Sequence, residues 1–515
     1  MFQDSSNALR QDTVSHHPLS IIFGLDDIAL RQNGQKIPVA WSEQTAINGH
    51  MLVAGKSGSG KTFTLKRIVS QIVRSGRPIR IHAFDVHSDL SFSDESHVLF
   101  SESTHYGINP LKISAHPHYG GVRKRVQGFI QMINDCSREL GPRQEASLRA
   151  ILYDLYEING FKLNDPDTWS VPEQPEQASK TDGRIYLDIP FDEKDRAKEL
   201  ARSAGIFLAF DSQLKAWYCD RHEGGLERWP RKVFGKRYPT VPDAARFAAN
   251  RLRALYTGGG SKAMRMLEDH NRKVSAWHNK CRKLAAGGPV EDIEKLREEV
   301  QAGAVALCES FQEYVLNIET GKELDNLIRF DTADTVRSLV DRLESMVATG
   351  IFKVMEPPFD PSKPVWRYGL GPLGESEQQM FVWTRLTQIF DDAREAGPVS
   401  GPSELRDVII IDEAHKFFRD KEENILNTLA KEARKFGIAL ICASQSPSHF
   451  SEDFLGNVGT KILLGLDQMY HDQTIRKMKI DPRVLDCIIP TKVVAVQMAS
   501  RAEQKPRFIQ TRVSA

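Results

Sequence analysis

Residues 55–62 read GKSGSGKT and match the pattern G-x-x-x-x-G-K-[ST]. An apolar run, HMLVAG at 50–55, leads into the pattern, and a run typical of a helix, FTLKRIVSQIV at 63–73, follows it. Glycines let such a loop wrap so that backbone N–H groups and the N-terminus of the following helix point at one anion. A strand, this loop and a helix in succession therefore predict an α/β fold with a phosphate-binding site.

The loop also indicates which ligand it binds. Lys61 is expected to reach the β- and γ-phosphates of a nucleotide, and the Thr62 hydroxyl is expected to bind Mg²⁺. We therefore predict ATP and Mg²⁺ as cofactors. A glycine-rich turn without a ligand is the alternative, which the flanking strand and helix disfavour. The predicted nucleotide-binding residues are Gly55, Lys56, Ser57, Gly58, Ser59, Gly60, Lys61, Thr62 and Phe63.

Two strand patterns near the C-terminus end in polar residues. The run VIII at 408–411 is followed by Asp412 and Glu413, and IALICAS at 438–444 is followed by Gln445. An acid at the end of a buried strand can hold Mg²⁺, and an adjacent Glu can orient and deprotonate an attacking water. We predict Asp412 as the metal ligand, Glu413 as the catalytic base and Gln445 as a contact to the γ-phosphate. A strand that simply meets a solvated loop would also end in polar residues, and the phosphate loop favours the catalytic interpretation.

Short apolar runs rich in β-branched residues mark the predicted sheet. Such runs suit strands buried on both faces, and helix-length amphipathic stretches at 62–75, 375–396 and 420–436 lie between them. The pattern predicts a mostly parallel sheet covered by helices. The predicted strands are 50–55, 78–85, 407–413, 438–444, 460–466 and 493–498.

The middle of the chain departs from this pattern. A stretch rich in proline and acidic residues at 164–183 resembles a linker, a strand–helix–strand pattern follows it, and residues 243–328 have a helical composition. We predict an insertion into the α/β core. The predicted domains are a short N-terminal segment (1–45), the first part of the core (46–163), a small α+β module with its linker (164–240), a basic helical insertion (241–328) and the second part of the core with the C-terminal tail (329–515).

Positive charge is concentrated in one segment. The whole chain has 69 Lys and Arg against 68 Asp and Glu, so a nucleic-acid surface would have to be local. Residues 228–283 contain fifteen Lys and Arg against three acids, interleaved with Trp229, Tyr238 and Trp277. This segment predicts contacts to nucleic-acid phosphates. The alternative is a solvated helical face balanced by the acidic run at 291–299.

The chain shows no sign of a membrane or secreted protein. No segment approaches the roughly 18 consecutive apolar residues of a membrane span, and the first seventeen residues lack an apolar secretory core. The six cysteines form no C-x-x-C pair, which disfavours a zinc cluster or a disulfide framework. We expect a cytoplasmic protein without an integral membrane segment.

Several of these motifs together resemble the HerA/FtsK superfamily of P-loop ATPases, with the HerA-like branch most similar. The similarity includes HMLVAGKSGSGKT, IIIDEAHKFF and LAKEARKFGIALICASQSPSHF. FDVHSDL resembles the family's Asp-x-His-Gly-Glu stretch, with Ser88 and Asp89 in place of Gly-Glu. INPLKI at 108–113 also resembles the ATPases of conjugative secretion, and 184–229 resembles a small domain of unknown function.

The resemblance implies a RecA-like core that assembles as a homo-hexamer with ATP at the subunit boundaries. Arg434, in KEARK, stands where the family places an arginine that acts on the neighbouring subunit's nucleotide. The family resemblance implies a translocase or helicase on double-stranded DNA that works with a separate nuclease or other effector, in DNA processing or anti-phage defence. The β-barrel that usually opens HerA proteins is expected to be absent or vestigial, because about 45 residues precede the motor.

Two other functions fit the same residues. A nucleotide-switched ring could hold and regulate an effector without moving along DNA, and a conjugative-secretion ATPase could dock at a membrane complex. DNA-stimulated turnover would favour the motor, and turnover indifferent to DNA would favour the scaffold.

Overall fold

The computed structural model describes residues 18–171, 185–190, 193–211, 216–229, 236–257, 259–285, 293–316, 333–401, 404–421, 424–502 and 506–513. These residues form two compact units: Met1–Ser101 with Pro357–Ala515, and Glu102–Glu356. No described helix has the length and apolar character needed to span a lipid bilayer.

Fourteen strands lie in the described residues. They are β1 (Ser20–Asp26), β2 (Pro38–Ser42), β3 (Met51–Ala54), β4 (Arg80–Asp85), β5 (Glu95–Leu99), β6 (Ile185–Leu187), β7 (Leu208–Asp211), β8 (Ala216–Cys219), β9 (Val365–Gly369), β10 (Asp407–Ile411), β11 (Ile438–Ser444), β12 (Thr460–Leu463), β13 (Val493–Met498) and β14 (Phe508–Arg512).

Fourteen α-helices lie in the described residues. They are α1 (Asp27–Asn33), α2 (Lys61–Arg74), α3 (Val122–Cys136), α4 (Pro142–Ile158), α5 (Lys194–Ser203), α6 (Val241–Thr257), α7 (Gly259–Ala285), α8 (Ile293–Leu316), α9 (Ala333–Ala348), α10 (Glu375–Glu395), α11 (Ile425–Glu432), α12 (Glu452–Asn457), α13 (His471–Met478) and α14 (Pro482–Asp486).

The first unit is built on one sheet of eleven strands in the order β2-β1-β14-β13-β12-β3-β11-β10-β4-β9-β5. The seven strands from β12 to β5 are parallel, and β13, β14, β1 and β2 continue the sheet as antiparallel neighbours. Apolar side chains of α2 are buried against this sheet. The predicted fold class, a RecA-like α/β core with a mostly parallel sheet, is confirmed.

All six predicted strands are present, and five strands of the main sheet were not predicted. Two of these, β1 and β2, form the antiparallel edge of the sheet, so residues 20–26 and 38–42 belong to the core sheet. The predicted helix at 420–436 is shorter than expected, because α11 ends at Glu432 and residues 433–436 form a 3₁₀ turn.

The second unit contains helices α3, α4, α6 and α9, a hairpin of α7 and α8, and a three-stranded antiparallel sheet in the order β6-β8-β7. The small sheet packs on α5 through its own apolar core, which includes Leu187, Ala197 and Cys219. The predicted insertion of a small α+β module with a helical segment is thus present. The compact unit begins at Glu102, earlier in the chain than the predicted start at 164, and the predicted linker lies mostly outside the described residues.

A buried ion-pair network joins three neighbouring strands of the main sheet. Arg367 on β9 donates to Asp85 Oδ2 at 3.0 Å and to both carboxylate oxygens of Glu95, at 2.9 and 3.0 Å. The Asp85 side chain is 0% exposed, so it depends on this guanidinium for its charge balance. Such charged residues inside short strands explain why β5 and β9 escaped a prediction based on apolar runs.

Replacing Arg367 with alanine is expected to lower the free energy of unfolding by about 3–5 kcal/mol, because Asp85 would keep a buried and unpaired charge. Urea denaturation followed by circular dichroism measures this loss. Lys363→Ala is the matched control, since its ion pair with Asp94 is exposed and its removal should leave the midpoint almost unchanged. Equal and small losses for the two variants would contradict a structural role for the buried network.

Candidate active site

The phosphate loop lies between β3 and α2 and is anchored to two neighbouring strands. Gly55 N donates to Ser444 O at 3.0 Å, and Lys56 N donates to Gly465 O at 2.9 Å. A Cβ on Gly55 would lie 2.3 Å from Ser59 Oγ, and Gly60 has a φ of 99°. Only glycine tolerates these two positions, so the wrapped shape of the loop requires them.

The residues of the loop differ in their exposure to solvent. Lys56, Ser57 and Gly58 are exposed, whereas Ser59 is buried and its hydroxyl has no hydrogen-bond partner. Lys61 Nζ donates to Gly55 O at 2.9 Å, so the ammonium lies over the loop itself. Backbone N–H groups of a loop in this shape favour binding of phosphate oxygens.

The predicted acid pair lies two strands from the loop, at the same edge of the sheet. Asp412 follows β10, and its N–H donates to Phe84 O at 3.3 Å. Glu413 has a φ of 50°, a left-handed conformation that is uncommon for residues other than glycine. Glu413 Oε1 lies 3.8 Å from Lys61 Nζ, so the structure brings the predicted base beside the predicted phosphate ligand.

The electrostatics of the acid pair favour a cation. Burial, together with the nearby charges of Glu413 and Asp89, raises the pKa of Asp412 to about 6 against the opposing charge of Lys61. Acids held together away from water are stabilised when a metal ion neutralises them. The donor set therefore fits Mg²⁺, and Asp412 together with the Thr62 hydroxyl would hold it.

Two histidines extend the site beyond what the sequence predicted. His415 Nδ1 lies 3.2 Å from Glu413 Oε2, and His449 Nδ1 lies 3.1 Å from Ser444 Oγ. The two imidazole rings are 4.7 Å apart, and burial lowers the pKa of both, so both are neutral at pH 7. His415 lies two residues after Glu413, and this closeness to the acid pair was the available sequence signal. The two histidines therefore connect the predicted base, Glu413, through side-chain contacts to Ser444 at the end of β11.

Two other predicted residues lie at opposite ends of β11. Gln445 is exposed directly after β11, at the edge that also carries the loop and the acid pair. Arg434 lies before β11, in the 3₁₀ turn and not on the helix, and its Nη1 donates to Ile47 O at 2.9 Å. The structure therefore brings Gln445, but not Arg434, to the phosphate loop of its own chain.

Parts of the chain are similar to known proteins. Residues 29–185 match the family model described as Helicase HerA, central domain. A 61-residue stretch is 44% identical to the DNA double-strand break repair helicase HerA of Pyrococcus furiosus. The chain is thus similar, over these residues, to the HerA branch of the P-loop ATPases. The Pyrococcus match covers 11% of this chain and 11% of that protein.

Three further comparisons also give matches. A probable helicase of Methanocaldococcus jannaschii, MJECL08, is 33% identical over 94 residues, which is 17% of each chain. The chain thus matches less than a fifth of the length of either curated relative. VirB4 of Thermoanaerobacter pseudethanolicus shares the fold, with a TM-score of 0.53 over 96% of both chains at 13% identity. Residues 184–230 match a domain of unknown function, DUF5710.

The loop after β4 contains FDVHSDL, the stretch that resembles Asp-x-His-Gly-Glu. Ser88 stands at the position of the glycine and has a φ of 59°, a left-handed conformation that is uncommon for residues other than glycine. Asp89 takes the place of Glu, and its N–H donates to Asp85 Oδ1 at 3.2 Å. The buried Asp85, whose carboxylate is paired with Arg367, thereby holds the loop that carries Asp89. The charge of Asp89 is one of those that raise the pKa of Asp412.

Proposed function

We propose that the chain is an ATP- and Mg²⁺-dependent motor that assembles as a homo-hexamer and translocates on double-stranded DNA. The observation that carries the proposal is the meeting of the phosphate loop with Asp412 and Glu413 at one edge of the sheet in a chain similar to the HerA branch of the P-loop ATPases. A relative named as a DNA double-strand break repair helicase supports duplex DNA as the substrate. A role in DNA processing or anti-phage defence, with a separate nuclease or other effector as partner, belongs to the same proposal.

Each residue of the site has its own role in the proposed hydrolysis of ATP. Backbone N–H groups of the loop and the Lys61 ammonium hold the phosphates. Mg²⁺, bound through Thr62 and Asp412, would neutralise charge on the phosphate oxygens. Glu413 orients the attacking water and takes its proton, and Gln445 contacts the γ-phosphate. Arg434 of a neighbouring subunit stabilises the charge that develops during transfer.

The basic segment supports DNA contacts less strongly than its composition suggested. Trp229 is buried in the core of the small module, and Tyr238 stacks on Phe161, so these two aromatic residues serve packing. Among the described cations, several form ion pairs within the second unit: Arg237 and Arg246 with Asp243, Arg251 with Asp154, Lys262 with Glu313, and Arg272 and Lys273 with Asp269.

The packing of α7 against α8 agrees with the alternative of a balanced helical face. The exposed Lys262 and Glu313 form an ion pair 2.9 Å long between these two helices. Arg231 and Lys232, and the side chains of Arg253, Arg265 and Lys283, lie outside the described residues. DNA contact through this segment therefore stays a proposal.

The experiment that tests the proposed function measures ATP hydrolysis with and without duplex DNA, alongside the native mass. We expect a hexamer whose turnover rises several-fold with duplex DNA and falls back at high salt, because phosphate contacts weaken with ionic strength. The Lys61→Ala variant provides the background rate. A hexamer whose turnover ignores DNA would instead support the nucleotide-switched scaffold.

A further inference from the structure

One face of the three-stranded sheet β6-β8-β7 carries aromatic rings. The side chains of Leu187, Leu208 and Cys219 belong to the apolar core between this sheet and α5. Because successive side chains of a strand point to opposite faces, Tyr186 and Tyr218 lie on the other face. The two tyrosines are directly opposite each other in the ladder, and their ring centroids are 5.7 Å apart. The face away from α5 therefore carries a pair of neighbouring rings.

A third ring extends this pair. Phe207 directly precedes β7, is 58% exposed, and its ring centroid lies 5.9 Å from that of Tyr218. Its N–H donates to Asp220 Oδ1 at 3.0 Å, which fixes Phe207 beside the end of β8. Ala209 is opposite Tyr218 in the ladder and leaves the surface low on that side of the ring. Tyr186, Tyr218 and Phe207 together form a row that we call the aromatic face.

The ring of Tyr186 lies across the sheet. Its hydroxyl donates to Asp211 Oδ2 at 3.1 Å on β7, although β8 lies between β6 and β7. Asp211 is opposite Ala216 on β8, so the phenol must cross Ala216, which is only 2% exposed. A ring held in this way loses little rotamer freedom when a second flat ring stacks on it.

The charge of the surrounding chain fits a partner with phosphate groups. The small module, residues 184–230, has eight Lys and Arg against nine Asp and Glu, so it is almost neutral. The basic segment at 228–283 overlaps its end and continues beyond it. In that segment, Asp243 and Asp188 raise the pKa of Arg237 against the effect of burial, and Asp188 directly follows β6. The basic segment thus passes close to one end of the small sheet.

We propose that the aromatic face binds single-stranded nucleic acid, with bases stacked on Phe207 and Tyr218 and the strand continuing towards the basic segment. Aromatic side chains for the bases and cations for the phosphates are the two components of single-strand sites. Among the described residues of this face, the apolar surface consists of rings and alanines, so it lacks the aliphatic side chains that interlock with a protein partner. The inference goes beyond the proposed movement on duplex DNA, because paired bases do not present their flat sides.

The experiment measures binding of three fluorescent DNA ligands to the full chain without nucleotide. The ligands are a thymidine strand of about 15 nucleotides, an abasic strand of the same length and a duplex of the same length. Phe207→Ala is expected to weaken binding of the thymidine strand about tenfold, the size of one lost base stack, and to leave the other two ligands unchanged. Phe210→Ala is the matched control, because Phe210 is 51% exposed but lies beside Trp217 on the face towards α5.

Two further variants separate the ring from its volume. Phe207→Leu keeps an apolar side chain of similar size and should behave like Phe207→Ala, whereas Phe207→Trp keeps a ring and should bind the thymidine strand at least as tightly as the wild type. If the wild-type chain binds the abasic strand as tightly as the thymidine strand, bases do not stack on the chain and the inference is wrong. Equal effects of Phe207→Ala and Phe210→Ala would also overturn it.

The duplex separates failure of this inference from failure of the proposed function. If the wild-type chain does not bind the duplex but Phe207→Ala weakens the thymidine strand, the proposed function fails and the single-strand site stands. If the duplex binds and the thymidine strand is insensitive to Phe207→Ala, the reverse holds. A uridine strand of the same length extends the test to RNA, and an equal loss with Phe207→Ala would show that the site takes both kinds of strand.

Discussion

Replacing Glu413 with glutamine is expected to slow ATP hydrolysis by roughly 10²–10⁴-fold, the range for loss of a general base, while ATP still binds. The amide keeps the size and shape of the carboxylate but cannot take a proton from water. The left-handed backbone at Glu413 is unchanged by the substitution, so the loop after β10 should keep its conformation. Single-turnover hydrolysis and equilibrium binding of ATP measure the two effects separately.

The contrast with Lys61→Ala sharpens this prediction. Lys61 contacts phosphates before and during reaction, so its loss is expected to weaken binding itself. The Lys61 ammonium now lies over Gly55 O and near Glu413, which shows that it must leave these contacts to reach a phosphate. Glu432→Gln, a change of an exposed acid on α11, is the matched control. Normal turnover in Glu413→Gln would remove Glu413 from the catalytic role.

Much of the main sheet could be predicted because its central strands are apolar on both faces. Every residue of β11 is buried, and an uninterrupted apolar run is the expected signal for such a strand. The phosphate loop could be located for a related reason. Such a loop must join a buried strand to a helix, and the sequence shows an apolar run before it and a helical run after it. Polar residues directly after β10 and β11 lie at the same edge as the loop, because β3, β11 and β10 are parallel neighbours.

The features that escaped prediction depend on contacts between distant parts of the chain. His415 and His449 become neighbours because they follow two adjacent strands, β10 and β11, and only His415 lies close to a motif in the sequence. An apolar groove between α2 and the strands β12, β13, β14 and β1 is lined by Ile22, Phe63 and Val494, which lie far apart in the sequence. Arg367 and Glu95 interrupt the apolar runs of β9 and β5, so these two strands were not predicted. The ion pair between the same two residues stabilises both strands.

Replacing Arg434 with alanine is expected to abolish ATP hydrolysis while the proposed ring still assembles. Arg434 precedes a strand of seven residues whose far end carries Gln445. That strand is about 23 Å long at 3.3 Å per residue, a distance that no arginine side chain spans. Any effect of Arg434 on a nucleotide must therefore reach another subunit. Lys435→Ala, which changes an adjacent exposed cation, is the control and should keep turnover.

Mixing the Arg434→Ala and Lys61→Ala proteins tests the action between subunits. A complete site forms where the intact Lys61 of one variant faces the intact Arg434 of the other. In an equal, random mixture, this arrangement occurs at about a quarter of the head-to-tail interfaces of a ring. Since each protein alone is expected to be inactive, recovery towards a quarter of wild-type turnover would require a shared site. If turnover does not recover at any ratio, although native masses show mixed rings, Arg434 does not act on the neighbouring subunit's nucleotide. Its role would then be limited to its hydrogen bond with Ile47 O.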